Sequence, residues 1–231
     1  LVATITNKVG TSIFARGDIK TVEDLKGKTI ATGRPGAFLD ATVRYVLRSK
    51  FNLIPDRDVK LLPTGEPSLG LQALERGVVE AAAMSSPYMF VARKAGFREL
   101  ASFDKLGVEY PYTSVVVLRQ TVVKSPDLIE RFLKTIVEGI HVFKTNKAKT
   151  MAAFKRHMKG ADDEILEATY QHSRATLEDA PHPTLQSVKV ALEMLALQYP
   201  QAKQTDPNPI VEPLFMKKIE DSGFIRALQK K

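Results

Sequence analysis

The sequence predicts an α/β fold whose second half is almost wholly helical. Short β-like runs alternate with stretches of helical period as far as Leu118, the pattern of a mostly parallel sheet covered by helices. Glycine- and proline-bearing turns separate these runs. Beyond Leu118 the apolar residues recur at helical spacing, and no convincing strand follows.

The opening residues 1–6 read as a strand entered in midstream. No initiator Met and no signal sequence precedes them, so the expectation is that processing or truncation removed the start of a lobe. Residues 29–32 are the next strand, stopped by Gly33-Arg34-Pro35-Gly36, and Phe38, Val43, Val46 and Leu47 carry a helix to Lys50. A strand at 59–62 meets the breaker Pro63-Thr64-Gly65-Glu66-Pro67. Ser68 then opens a helix that Gly77 closes, at a position where positive φ costs glycine little. A strand at 79–84, the interruption Ser85-Ser86-Pro87, a helix at 88–95 and strands at 98–102 and 113–118 complete this half.

Ser125-Pro126 then supplies an N-cap and a first-turn proline for a long amphipathic helix through Ile129, Phe132, Leu133, Ile136, Ile140 and Phe143. Further helices are expected at 147–158, 163–176, 184–197 and 213–221, with prolines in the links. Wide apolar stripes on several helices need something to pack on. Either they bundle together, or they cover a sheet that this half does not supply.

Composition excludes whole classes of function. The chain has 231 residues, 44% hydrophobic and 26% charged, which argues against disorder, and its apolar runs are too short to span a membrane. It has no cysteine, so disulfides, thiolate zinc sites, iron–sulfur clusters and cysteine nucleophiles are absent. The net charge of +8 divides equally between the two halves. One basic run, Lys144, Lys147, Lys149, Lys155, Arg156 and Lys159, carries no nucleic-acid motif. Its two phenylalanines, Phe143 and Phe154, suit a buried helix face, so a solvated helix is expected rather than a nucleic-acid partner. The four histidines form no metal-binding spacing, Asp162-Asp163 reads as a helix cap, and no Gly-x-Ser-x-Gly elbow is present. No metal, cofactor or catalytic constellation is expected.

Ile19-Lys20-Thr21-Val22-Glu23-Asp24-Leu25-Lys26-Gly27-Lys28, Leu71-Gln72-Ala73-Leu74 with Gly77, Ser86-Pro87-Tyr88 and Lys94-Ala95-Gly96-Phe97 carry a resemblance. This stretch resembles the nitrate/sulfonate/taurine group of ABC-transporter solute-binding proteins, which has the type II periplasmic binding fold. The resemblance implies two α/β lobes with a small-molecule ligand between them, an ABC permease and ATPase as partners, and a periplasmic or secreted location. It implies one complete lobe at 13–115, with 1–12 and 116–231 as the crossing strand and the helical remainder of the other. It also implies that about the first third of such a protein is absent, so the whole protein would be a monomer while the chain as given would associate through exposed apolar faces. A thiamine-pyrimidine-synthase-like enzyme shares the fold and is the enzymatic alternative. That enzyme depends on a cysteine-rich motif that this chain lacks.

Ligands of open α/β sheets bind beyond the carboxyl ends of strands. Three such loops are expected to face one cleft, at 33–37, 64–66 and 85–88. In the first, the N–H groups of Gly36, Ala37 and Phe38 would receive an anion at a helix start, with Gly33 and Pro35 shaping the turn. A plain turn that stops a strand is the competing reading. Arg34 pairs with a carboxylate or sulfonate, or is merely solvated. Thr64 lies in the second loop, where Glu66 is a helix-start acid or an acceptor for an amine. Ser85, Ser86 and Tyr88 donate to a ligand or cap the next helix. Tyr112, with Tyr110, lines the cleft or anchors the return crossing.

Overall fold

The chain opens on β1 (Ala3–Lys8) in a computed structural model that describes residues 1–230. It then passes into β2 (Thr11–Ala15), β3 (Thr29–Gly33), α1 (Phe38–Phe51), β4 (Lys60–Gly65), α2 (Pro67–Glu75), β5 (Ala81–Ser85), α3 (Tyr88–Lys94) and β6 (Arg98–Ser102). It returns through β7 (Glu109–Val115) and continues as helices: α4 (Arg119–Lys124), α5 (Pro126–Thr145), α6 (Lys147–His157), α7 (Asp163–Thr176), α8 (Leu185–Ala196), α9 (Leu214–Asp221) and α10 (Phe224–Gln229). No strand follows β7 among the described residues, as the helical spacing predicts. None of the described helices is long and apolar enough to cross a membrane.

Two units result. One, the helical unit, holds residues 1–8, 109–192 and 204 onward; the other, the sheet unit, holds residues 9–108 with 193–203. These boundaries differ from the division at 13–115. β7 pairs antiparallel with β1, so residues 109–115 go with the helical unit, while Thr11 and Ser12 open β2 in the sheet.

The sheet unit has the strand order β4-β3-β5-β2-β6. β3 is parallel to both β4 and β5, but β2 is antiparallel to β5 and β6. The sheet is therefore mixed rather than mostly parallel. Strand–helix alternation reports only the strands joined by crossover helices, and β2 is not one of them. Every residue of β2 is buried, as is nearly all of β5. Such runs suit central strands with both faces covered.

The Thr21–Lys28 motif has a local physical cause. Asp24 Oδ2 accepts from the amides of Lys20 (3.0 Å) and Thr21 (2.9 Å), and the Asp24 amide donates back to Thr21 Oγ1 (3.3 Å). This is a reciprocal cap on a single helical turn. The donated amides hold the Asp24 carboxyl below the usual carboxylate range. Leu25 is buried beneath the turn, and Gly27, at φ +77°, delivers the chain into β3. The motif builds the entry to a strand, which explains why it marks the fold and not a ligand.

In the helical unit, Ile129, Leu133 and Val137 on α5 meet Met216 and Ile219 on α9, Ile225 on α10, and Val2 and Ala3. Phe132, which the periodicity places on the buried stripe, is instead half exposed. Three cations of the basic run are ion-paired: Lys144 with Asp179 (2.6 Å), Lys147 with Glu167 (2.7 Å) and Lys155 with Asp163 (2.8 Å). Phe143 packs against Phe154 and Tyr170, with ring centroids 5.8 and 5.6 Å away. Both observations agree with a helix surface. Asp162 caps α7 through the Ile165 amide at 2.9 Å.

Candidate functional site

The site is a pocket of about 350 Å³ in the sheet unit, lined from the ends of β3, β4 and β5 and the start of β2. Gly33, Arg34, Ala37, Phe38, Glu66 and Ser85 of the sequence candidates line it, together with Thr11, Leu39, Gly65 and Pro67. Pro35, Gly36, Thr64, Ser86 and Tyr88 are not among the lining residues. Tyr112 lies on β7 in the helical unit.

Gly36 must be glycine for two reasons. Its φ is +75°, and a Cβ there would stand 2.5 Å from Gln198 Oε1. The turn it completes is held by a residue that sequence reasoning passed over. Asp40, one turn into α1 and 2% exposed, accepts from the Gly36 amide at 3.0 Å, Arg44 Nε at 2.9 Å and Thr32 Oγ1 at 3.3 Å. Arg44 also pairs with Asp56. The i,i+4 spacing of Asp40 and Arg44 was the available signal, but such pairs usually lie on solvated faces.

These bonds correct the expected anion cradle. The Gly36 amide is occupied by Asp40, and the Ala37 amide donates to Arg34 O at 2.9 Å. What remains is the start of α1, where no side chain caps the helix and the N-cap is Ala37. Its first turn therefore presents the positive pole of the helix to the pocket. Arg34 reaches across the mouth to Glu66 at 3.4 Å, with both side chains largely exposed at 77% and 64%. Glu66 is the N-cap residue of α2, with Pro67 at the first position. The Thr64 hydroxyl is spent on Thr32 O at 3.0 Å, which ties β4 to β3.

Thr11 was also missed. It is 1% exposed, its Oγ1 is buried with no hydrogen-bond partner among the described residues, and its Cα pairs with that of Ser85 across β2 and β5. Nothing in the sequence alone distinguishes it from any other strand threonine.

The helical unit holds a larger cavity of about 450 Å³, between α5, α7 and α10. Its Lys144 is already neutralised by Asp179, and no strand end or helix start opens onto it. The smaller strand-end pocket is the better site because backbone geometry, a cation and hydroxyls converge there.

Comparison with known proteins agrees with this architecture. YtlA of Bacillus subtilis (strain 168), named as a candidate binding protein, is 26% identical over 187 residues, 79% of this chain and 56% of its own length. The chain thus spans little more than half of that relative. The alkanesulfonate-binding protein SsuA from Xanthomonas axonopodis pv. citri, solved bound to MOPS, superposes with a TM-score of 0.66 at 19% identity, covering 91% of this chain and 72% of that one. The desulfurization enzyme DSZB superposes with a TM-score of 0.65 at 13% identity, over 96% and 79% of the two chains. The fold is that of SsuA-type periplasmic binding proteins, and an enzyme shares it. The sequence profile of the NMT1-like family matches residues 9–156, well over half of the chain, and the chain belongs to that family.

Proposed function

We propose that this chain is the greater part of a solute-binding protein that captures a small organic anion for an ABC importer, in a periplasmic or secreted setting. The observation that carries this reading is the convergence of Arg34 and the uncapped start of α1 on one pocket. A helix start favours an anion by about 0.3–1 kcal/mol when exposed and up to ~2 when partly buried. Glu66 competes for Arg34, but an exposed ion pair is worth only about 0–1 kcal/mol, so an incoming carboxylate or sulfonate can displace it. The binding-protein name of YtlA and the sulfonate-binding SsuA support the same reading.

A melting panel tests it, using MOPS, ethanesulfonate, butyrate, and neutral and cationic analogues. An anion at 100 times its Kd should stabilise the protein by ~2.7 kcal/mol, a shift of roughly 5–10 °C. Arg34→Ala should weaken the effect, and Glu66→Gln, which frees Arg34, should strengthen it. Shifts with only neutral or cationic compounds would refute the anion assignment. The enzymatic alternative rests on the DSZB likeness alone, and recovery of the bound anion chemically unchanged would exclude it.

The helical unit leaves Val116, Leu118, Val123, Leu128 and Phe132 half or more exposed. Exposed apolar surface of this kind favours association of the chain as given. Light scattering should find a dimer or larger species, and a monomer at tens of micromolar would count against this.

A further inference from the structure

We infer that the Thr11 hydroxyl is a ligand donor that reads an oxygen of the bound anion. The inference deepens the proposed function and rests on it. A buried hydroxyl without a partner costs stability, and native structures keep few of them. Thr11 is such a group: it lines the strand-end pocket and is 1% exposed, and its Oγ1 meets no partner among the described residues.

Its backbone is fully committed elsewhere. The Thr11 amide donates to Val9 O (2.8 Å) and its carbonyl accepts from the Phe103 amide (2.9 Å), so the side chain is not needed to hold the turn into β2. A valine would serve the strand at least as well, since β-branching is retained and no polar atom is buried. A threonine that weakens the empty protein is explained if its hydroxyl is satisfied when the pocket fills. The partner it needs is an acceptor. A carboxylate or sulfonate offers only acceptors, whereas an ammonium offers none. Ser85, paired with Thr11 across the two strands and lining the same pocket, supplies a second hydroxyl to the same end of the ligand.

The two roles open to Thr11 make opposite predictions for Thr11→Val. A ligand donor predicts a divided outcome. The empty variant should melt higher by about 2–8 °C, because an unsatisfied hydroxyl has been removed. MOPS, titrated calorimetrically into the full chain, should then bind about tenfold or more weakly, the loss expected for a hydrogen bond to a charged group. Thr11→Ser, which keeps the hydroxyl, should bind within a few-fold of the wild type.

Wild-type MOPS affinity in Thr11→Val would overturn the inference while leaving the proposed function standing. A lower melting temperature for the empty Thr11→Val protein would also overturn it, by showing that the hydroxyl is satisfied within the fold. If neither MOPS nor any other anion of the panel binds the wild type, the proposed function falls and this inference falls with it.

Discussion

Phe14→Ala is expected to destabilise the sheet unit by about 3–5 kcal/mol, the usual cost of truncating a fully buried phenylalanine. At about 2–4 °C per kcal/mol for a chain of this size, the melting point should fall by roughly 6–20 °C. Phe14 is the midpoint of the antiparallel part of the sheet. Its neighbours across the ladder are Ala82 on β5 and Glu99 on β6, and α3 packs on the strand that carries it. Alanine at the paired position cannot swell to fill the void, so the cavity penalty should add to the lost burial. Phe14→Leu keeps most of the volume and should cost under about 1.5 kcal/mol with modest repacking. Phe14 does not line the pocket, so MOPS should bind the folded fraction of Phe14→Ala within about twofold of wild type. Urea denaturation with calorimetry checks both statements. A loss under 1 kcal/mol would show that the sheet does not depend on β2 for its integrity.

That expectation rests on a strand the sequence did not announce. From β3 to β6, apolar period and turn residues located the elements to within a few residues, because these strands are joined by helices or turns whose stop signals are local. β2 and β7 were harder. β2 is a short buried run whose orientation follows from pairing with strands far along the chain, and such a run reads the same in either direction. β7 begins at Glu109 and contains Pro111, and both residues disguise an edge strand. α4 and α10 are too short to show a period. For the site, strand-end logic picked out Gly33, Arg34, Ala37, Phe38, Glu66 and Ser85, which one pocket gathers. It passed over Asp40 and Thr11, whose significance lies in a buried hydrogen bond made and a buried hydrogen bond missing. Both facts exist only once the chain is packed.

Asp40→Ala is expected to cost about 2–4 kcal/mol and to remove most of the pocket's affinity for anions. The carboxylate is nearly fully buried, and its loss strands the Gly36 amide, the Thr32 hydroxyl and one face of Arg44 together. Breaking a buried ion pair by deleting one partner typically costs about 3–5 kcal/mol. The lower range applies because Arg44 is 28% exposed and keeps Asp56 as a second partner. Burial works against the Arg44 charge, but its hydrogen bonds to Asp56 and Asp40 outweigh that cost and raise its pKa. Removing the exposed Asp56 instead should cost under about 1 kcal/mol, which makes Asp56→Ala the internal control. Asp40→Asn keeps an acceptor for Gly36 but no charge for Arg44, and should fall between the two. The functional consequence follows from geometry. Asp40 holds the Gly36 turn from inside, and that turn sets both the position of Arg34 and the approach of an anion to the start of α1. Arg34→Ala should therefore lose affinity with no change in stability, while Asp40→Ala loses both. Urea melts set beside MOPS titrations separate the cases, and Asp40→Ala within 1 kcal/mol of wild type would show that the turn holds itself.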